Sequence, residues 1–214
     1  PAVLVAEVVV AGLARRLGLA TPRLVAVELP SAIARYEADE EVQDLLSASP
    51  GLNLGVDFLP GSFGFDPSER VAPDLAARVL WLDAYVANVD RSWRNPNLLV
   101  WHGDLWLIDH GASLYFHHGW AGGVTDPERF ALQPWSLDEH VLSAYVDGVA
   151  AVDAEMAGMV DGDALEEVLA EVPDVWLRPV AGAEAPGQLR SAYRSFLQAR
   201  LDHGRPWLPR RAVA

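Results

Sequence analysis

The residues that could do chemistry gather in one stretch of this 214-residue chain, Val89-Asp90-Arg91-Ser92-Trp93-Arg94-Asn95-Pro96-Asn97, which runs into the apolar Leu98-Leu99-Val100. After the turn-forming His102-Gly103-Asp104, a second apolar run, Leu105-Trp106-Leu107-Ile108, ends in Asp109-His110-Gly111. The pattern predicts two strands joined by a tight reversal. Antiparallel partners lie roughly 5 Å apart, so the Asn before the first strand is brought beside the Asp after the second. One Asn and one Asp beside a second acid, Asp90, are the kind of set that can hold magnesium over a loop where phosphate is transferred.

Asp90 precedes Asn95 by five residues, and the strand pair leads to an Asp-x-Gly. That is the order of catalytic loop and metal loop in the protein-kinase-like fold. The surrounding wording, Asn88-Val89-Asp90-Arg91 before the loop and Ile108-Asp109-His110-Gly111 after it, resembles the HipA-like kinases and the related phosphatidylinositol kinases more than an ordinary protein kinase. The resemblance covers about residues 4–118 at motif level. It implies an α+β, protein-kinase-like two-lobe fold, with antiparallel strands in an incomplete small lobe and a mostly helical large lobe. It also implies a bacterial phosphotransferase that uses ATP and Mg2+ on a hydroxyl-bearing acceptor, protein Ser or Thr among the candidates. Asp90 would then orient the acceptor hydroxyl or take its proton, Asp109 with Asn95 or Asn97 would hold the metal, and Arg91 or Arg94 would neutralise phosphate charge. Counting from the acid favours Asn95, and counting from the strand favours Asn97.

One departure is large: all 16 basic residues are Arg, so the lysine that holds nucleotide phosphates in this fold is not in the chain. The N-terminal run from Leu4 to Arg16, with Leu4, Val8, Ala11 and Ala14 in helical spacing, a basic last turn and Gly18 beyond it, predicts a helix. By the resemblance it is the small-lobe helix, and Glu7 is the acid that would pair with that lysine. The Gly-rich hairpin and the lysine strand would lie upstream of Pro1. On this reading the polypeptide as given transfers phosphate slowly or not at all.

Bulk properties bound the classes. At 51% hydrophobic and 21% charged, the chain can bury a sizeable core. A net charge of −14 argues against a nucleic-acid partner. Zero Cys excludes disulfides, zinc-thiolate sites and a thiol nucleophile, and fits a reducing, cytoplasmic setting. No apolar run approaches the roughly 20 residues that span a bilayer, so no membrane partner is expected.

The organisation is expected in two parts, 1–62 as a small-lobe remnant and 63–214 as a helical lobe. Pro22–Pro30 predicts a strand, Ser31–Tyr36 and Asp39–Ala48 short helices, and Asn53–Ser62 a second strand ending at a Pro-Gly break. By the resemblance that break is the hinge, where the backbone of Phe58, Leu59 and Gly61 would meet an adenine ring. Apolar spacing from Leu75 to Val86 predicts a helix leading into the loop. Ser136-Leu137-Asp138-Glu139 reads as a capping box opening another, followed by helices over Asp163–Glu171 and around Leu189–Leu201.

Two other classes stay open. Loss of the phosphate clamp would produce a pseudokinase or a nucleotide- or protein-binding module. A metal-dependent hydrolase could instead use Asp104, Asp109 and His110, His117 and His118, since imidazole and carboxylate suit transition metals.

Overall fold

A computed structural model describes residues 1–211. In chain order it has α1 (Ala2–Arg16), β1 (Leu24–Leu29), a 3-10 turn (Ile33–Tyr36), α2 (Glu40–Ala48), β2 (Gly51–Val56), β3 (Phe63–Gly64), α3 (Pro73–Val86), β4 (Leu98–Trp101) and β5 (Asp104–Leu107). A 3-10 segment (Tyr115–Gly122), α4 (Pro127–Ala131), a 3-10 segment (Ser143–Gly148), α5 (Val149–Met159), α6 (Gly162–Ala170) and α7 (Pro186–Asp202) follow. The class is α+β, with two small antiparallel sheets, as expected.

The chain divides into two compact units, one of Pro1–Thr21 with the chain from Gly61 onward, the other Pro22–Pro60. The expected remnant over 1–62 is therefore split: α1 belongs with the helical part. The reason is its all-round burial. Val5, Ala6, Val8 to Val10 and Ala11 to Ala14 are covered on every face, which compensates for the weak helix propensity of three consecutive valines. Gly12 lets α6 approach, for a Cβ there would lie 2.8 Å from Val168 Cγ1. Arg15 and Arg16 in the last turn pair with Glu171 (2.7 Å) and Glu167 (2.9 Å).

The core of this unit is helical. α3 starts on Pro73 at its first turn, where a missing N–H is harmless, and is buried on all sides over 79–86, with Trp81 and Tyr85 on one face and Asp83 on the opposite one. Trp81 and Tyr85 pack on Trp207. Arg200 of α7, fully buried, donates to the carbonyls of Ala84 (2.8 Å) and Phe130 (2.7 Å), closing the carbonyl ends of α3 and α4.

In the second unit β1 pairs antiparallel with β2, Leu24 opposite Val56 and Leu29 opposite Gly51. The second strand thus ends at Val56, short of the expected 53–62, and Val25, Val27 and Val56 remain exposed. Asp39 caps α2 by accepting the Glu41 N–H at 3.0 Å. The helix expected at Ser136 does not form. The Ser136 hydroxyl turns to Asp138 instead, and the segment bridges to the Asp90–Asn97 loop through Trp93 N–H to Glu139 O and Val141 N–H to Arg91 O. Those non-local bonds outweigh the local capping signal.

Candidate active site

The site is built on the β4–β5 hairpin, Leu98 opposite Leu107 and Trp101 opposite Asp104, with β3 flanking β4. His102 and Gly103 both take positive φ (52° and 88°), the two-residue turn whose twist suits paired strands. His102-Gly103-Asp104 is thus a reversal. At the open end the Ile108 N–H donates to the Asn97 carbonyl at 3.1 Å. Asn97 and Asp109, just outside the two strands, also have left-handed backbones (φ 48° and 51°), a region few residues other than Gly, Asn and Asp adopt readily. The hairpin therefore sets the backbone at both positions that the spacing marks as metal donors.

Asp90 sits on the loop before β4. Its Oδ2 accepts from the Asn95 amide at 3.0 Å and from the Asn97 amide at 3.3 Å, and Asn97 also donates to the Asp90 backbone carbonyl at 3.0 Å. Both candidate Asn residues converge on the same carboxylate, Asn97 buried and Asn95 exposed. Each turns its NH2 to Asp90, and among the described residues neither Oδ1 accepts a hydrogen bond.

Arg91 lies where no phosphate can reach it. Its side chain has no exposure, its Nε donates to Asp83 Oδ2 at 2.6 Å, and its Nη1 donates to the Asn97 and Ile108 carbonyls. It ties α3, the loop and both ends of the hairpin together, so the phosphate-neutralising role expected of it is corrected to a positioning one. Arg94, 65% exposed, stacks over Trp93 and pairs loosely with Glu139.

Asp83, the carboxylate that anchors Arg91, and His140, which also bonds that carboxylate, were not singled out by sequence. Asp83 accepts from Arg91, from the Asn88 amide at 2.9 Å and from His140 Nε2 at 3.0 Å; Asn88 in turn accepts the Asp90 N–H at 3.0 Å. Burial alone would raise the Asp83 pKa; Arg91 and His140 overcome it and hold the carboxyl well below the ordinary range. A lone Asp inside the apolar Leu80-Trp81-Leu82-Asp83-Ala84-Tyr85 was the signal available. His140 carried none.

On the other side of the hairpin, Glu7 of α1 meets Asp109. Burial raises the Glu7 pKa, the Asp109 carboxylate adds to the rise, and the backbone N–H groups of His110 and Gly111 oppose it. Gly111 permits the approach, because a Cβ there would lie 2.7 Å from Val3 Cγ1 and 3.3 Å from Glu7 Oε1. His110 is buried against Arg91, and burial pushes its pKa down to about 3. Glu7 and Asp109 are thus two carboxylates in direct contact.

The expected adenine-facing residues fall at the junction of the two units: Phe58 is 82% exposed, Leu59 is 7% exposed, and Gly61 takes φ 78°. Of the histidines of the hydrolase reading, His110 faces Arg91, while His117 bonds Tyr193 and packs edge-on against His118. Among the described residues no three His, Asp or Glu side chains are grouped to hold a metal. No helix is long and apolar enough to cross a membrane.

An acid-bearing loop, an Asn at the strand mouth and an Asp-x-Gly after the hairpin define a kinase-like protein. Residues 1–121 match the family model described as HipA-like kinase, and the chain belongs to that family. No curated protein and no solved structure matches it.

Proposed function

We propose that this chain carries the catalytic and metal loops of an ATP- and Mg2+-dependent phosphotransferase that acts on a hydroxyl acceptor, protein Ser or Thr included. The observation that carries the reading is the clamping of one carboxylate, Asp90, by both Asn95 and Asn97 on a loop anchored through Arg91. A carboxylate held in one orientation accepts a hydroxyl proton in line with transfer, an effect that typically contributes about 10²–10⁴-fold in rate. Asp109, with the Oδ1 of Asn97 or Asn95, would hold the metal, which when bound screens phosphate charge. Glu7 holds the Asp109–Gly111 backbone against α1. Arg94 is the exposed cation of the loop and would face phosphate or acceptor charge. The backbone of Phe58, Leu59 and Gly61 would meet the adenine. An open cavity of about 290 Å³ beside the loop, lined by Val89, Ser92, Trp135 and Glu139, offers the acceptor a place.

The test is transfer of the ATP γ-phosphate to protein hydroxyls with and without Mg2+. Asp90→Ala and Asp109→Ala are each expected to lower turnover by about 10²-fold or more while circular dichroism stays native. Undiminished turnover in either variant would refute the assigned role. Nucleotide binding that is indifferent to Mg2+ would favour the pseudokinase or binding-module reading.

A further inference from the structure

At the turn end of the β4–β5 hairpin, away from the mouth where Asp90 and Asp109 stand, a cleft of about 740 Å³ opens between the sheet and the start of α3. Its volume is that of ligand-binding clefts. Strand alternation builds one wall. Phe63 lies opposite Val100 and Val100 opposite Leu105, so these side chains share a face with Phe65, while Val71 and Leu75 close the other side. Phe65, Val71 and Leu105 are buried, whereas Phe63 is 64% exposed.

The edge of the sheet borders this cleft. β3 is an edge strand, paired with β4 alone. The Phe65 N–H donates to the Leu98 carbonyl at 3.0 Å, which makes 65 and 98, and hence 63 and 100, the hydrogen-bonded pairs of the ladder. The Gly64 N–H and C=O between them therefore point outward, and no described residue takes them. An open edge of this kind accepts an extended chain through main-chain hydrogen bonds, and a neighbouring cleft selects its side chains.

The rim sets the charge. Asp66, Glu69 and Asp104 are exposed there with a single guanidinium, Arg70, and none of the four forms an ion pair among the described residues. Three carboxylates against one guanidinium favour a cationic occupant. We propose that this cleft is a docking site for an extended, basic segment of a partner protein. The segment pairs with Gly64 as a further strand, lays a large apolar side chain on Phe63, Val100 and Leu105, and sets Lys or Arg against Glu69 and Asp104. The site lies outside the phosphotransfer machinery, and its test does not depend on turnover.

The probe is a pool of random displayed peptides selected on the whole chain, from which the most enriched member is synthesised and its affinity measured by fluorescence anisotropy. Enrichment of Lys or Arg beside large apolar residues is expected, with an affinity that falls as salt is raised. Three changes at exposed positions separate the parts. Glu69→Arg with Asp104→Arg reverses the rim, Phe63→Ser removes the apolar anchor, and Gly64→Pro removes the outward N–H while the ladder bonds stay. Each is expected to weaken the peptide about tenfold. Gly64→Ala, which keeps the N–H and whose Cβ meets nothing within 4 Å, is expected to leave binding unchanged. A selection that enriches no basic peptide would overturn the proposal. So would a peptide that binds the rim-reversed and Phe63→Ser chains as tightly as the parent, or one indifferent to Gly64→Pro. A dimer in sedimentation that Phe63→Ser dissolves would overturn it too, since a second copy of the chain would then occupy the face.

Discussion

Asp83 and Glu7 are both carboxylates set into the helical unit within reach of the same loop system, and their surroundings treat them oppositely. Asp83 is wholly buried and fully compensated: Arg91, His140 and the Asn88 amide supply its hydrogen bonds, and it stays ionised far below its ordinary pKa. Glu7 is partly buried beside another acid, and its pKa rises. The first region completes its own electrostatics and serves as scaffold. The second leaves two carboxylates side by side, and burial with their mutual repulsion favours the protonated form of Glu7.

The largest effect is expected on breaking the scaffold. Asp83→Ala would strand the Arg91 guanidinium in the interior, and losing one partner of a buried ion pair costs about 3–5 kcal/mol. The urea midpoint should fall steeply, and a loss within that of a surface substitution would show that water already reaches the pair. His140→Gln, which can still donate, should recover most of the stability that His140→Ala loses.

A middle-sized effect is expected in acid. His110 is neutral when folded, with a pKa of about 3 against an ordinary 6.5, so the stability it contributes is complete above pH 6.5 and is lost as pH falls from 6.5 toward 3. His117, at about 4, acts in the same direction, and Asp83 adds its own loss below pH 3.8. Thermal midpoints should therefore drop across this range, and His110→Phe should flatten the upper part. An unchanged slope in that variant would remove His110 from the account.

The smallest effect separates the two carboxylates by sign. A raised acid pKa means the folded state holds its proton more tightly, so Glu7 lowers stability as pH rises above 4.5, the reverse of Asp83. Glu7→Gln should gain more over the parent at pH 7.5 than at pH 4. An equal gain at both values would mean that neither burial nor Asp109 raises the Glu7 pKa in the folded chain.

Local signals recovered much of this. Helical spacing placed α1, α3, α6 and α7, and the alternation around His102-Gly103 placed the hairpin. The motif order placed Asp90, Asn95, Asn97 and Asp109 around that hairpin, and the structure joins Asp90 to both Asn residues. Arg91 was misjudged because an Arg beside an acid in a loop has the same appearance whether it faces solvent or Asp83. Ser136 was misjudged because a capping box competes with strand-like bonds to residues 91–93 that lie far off in sequence.

What the sequence determined by itself was therefore what depends on neighbours along the chain: the periodicity of each helix, the turn that closes the hairpin, and the spacing of acid and amide about it. Only the tertiary structure decided which charges meet. Arg91 takes Asp83 and His140, Glu7 takes Asp109, and Arg200 takes the carbonyls of Ala84 and Phe130. Burial and pairing set the energy of an ionised group, and both are properties of the space around a residue that its position in the chain does not specify.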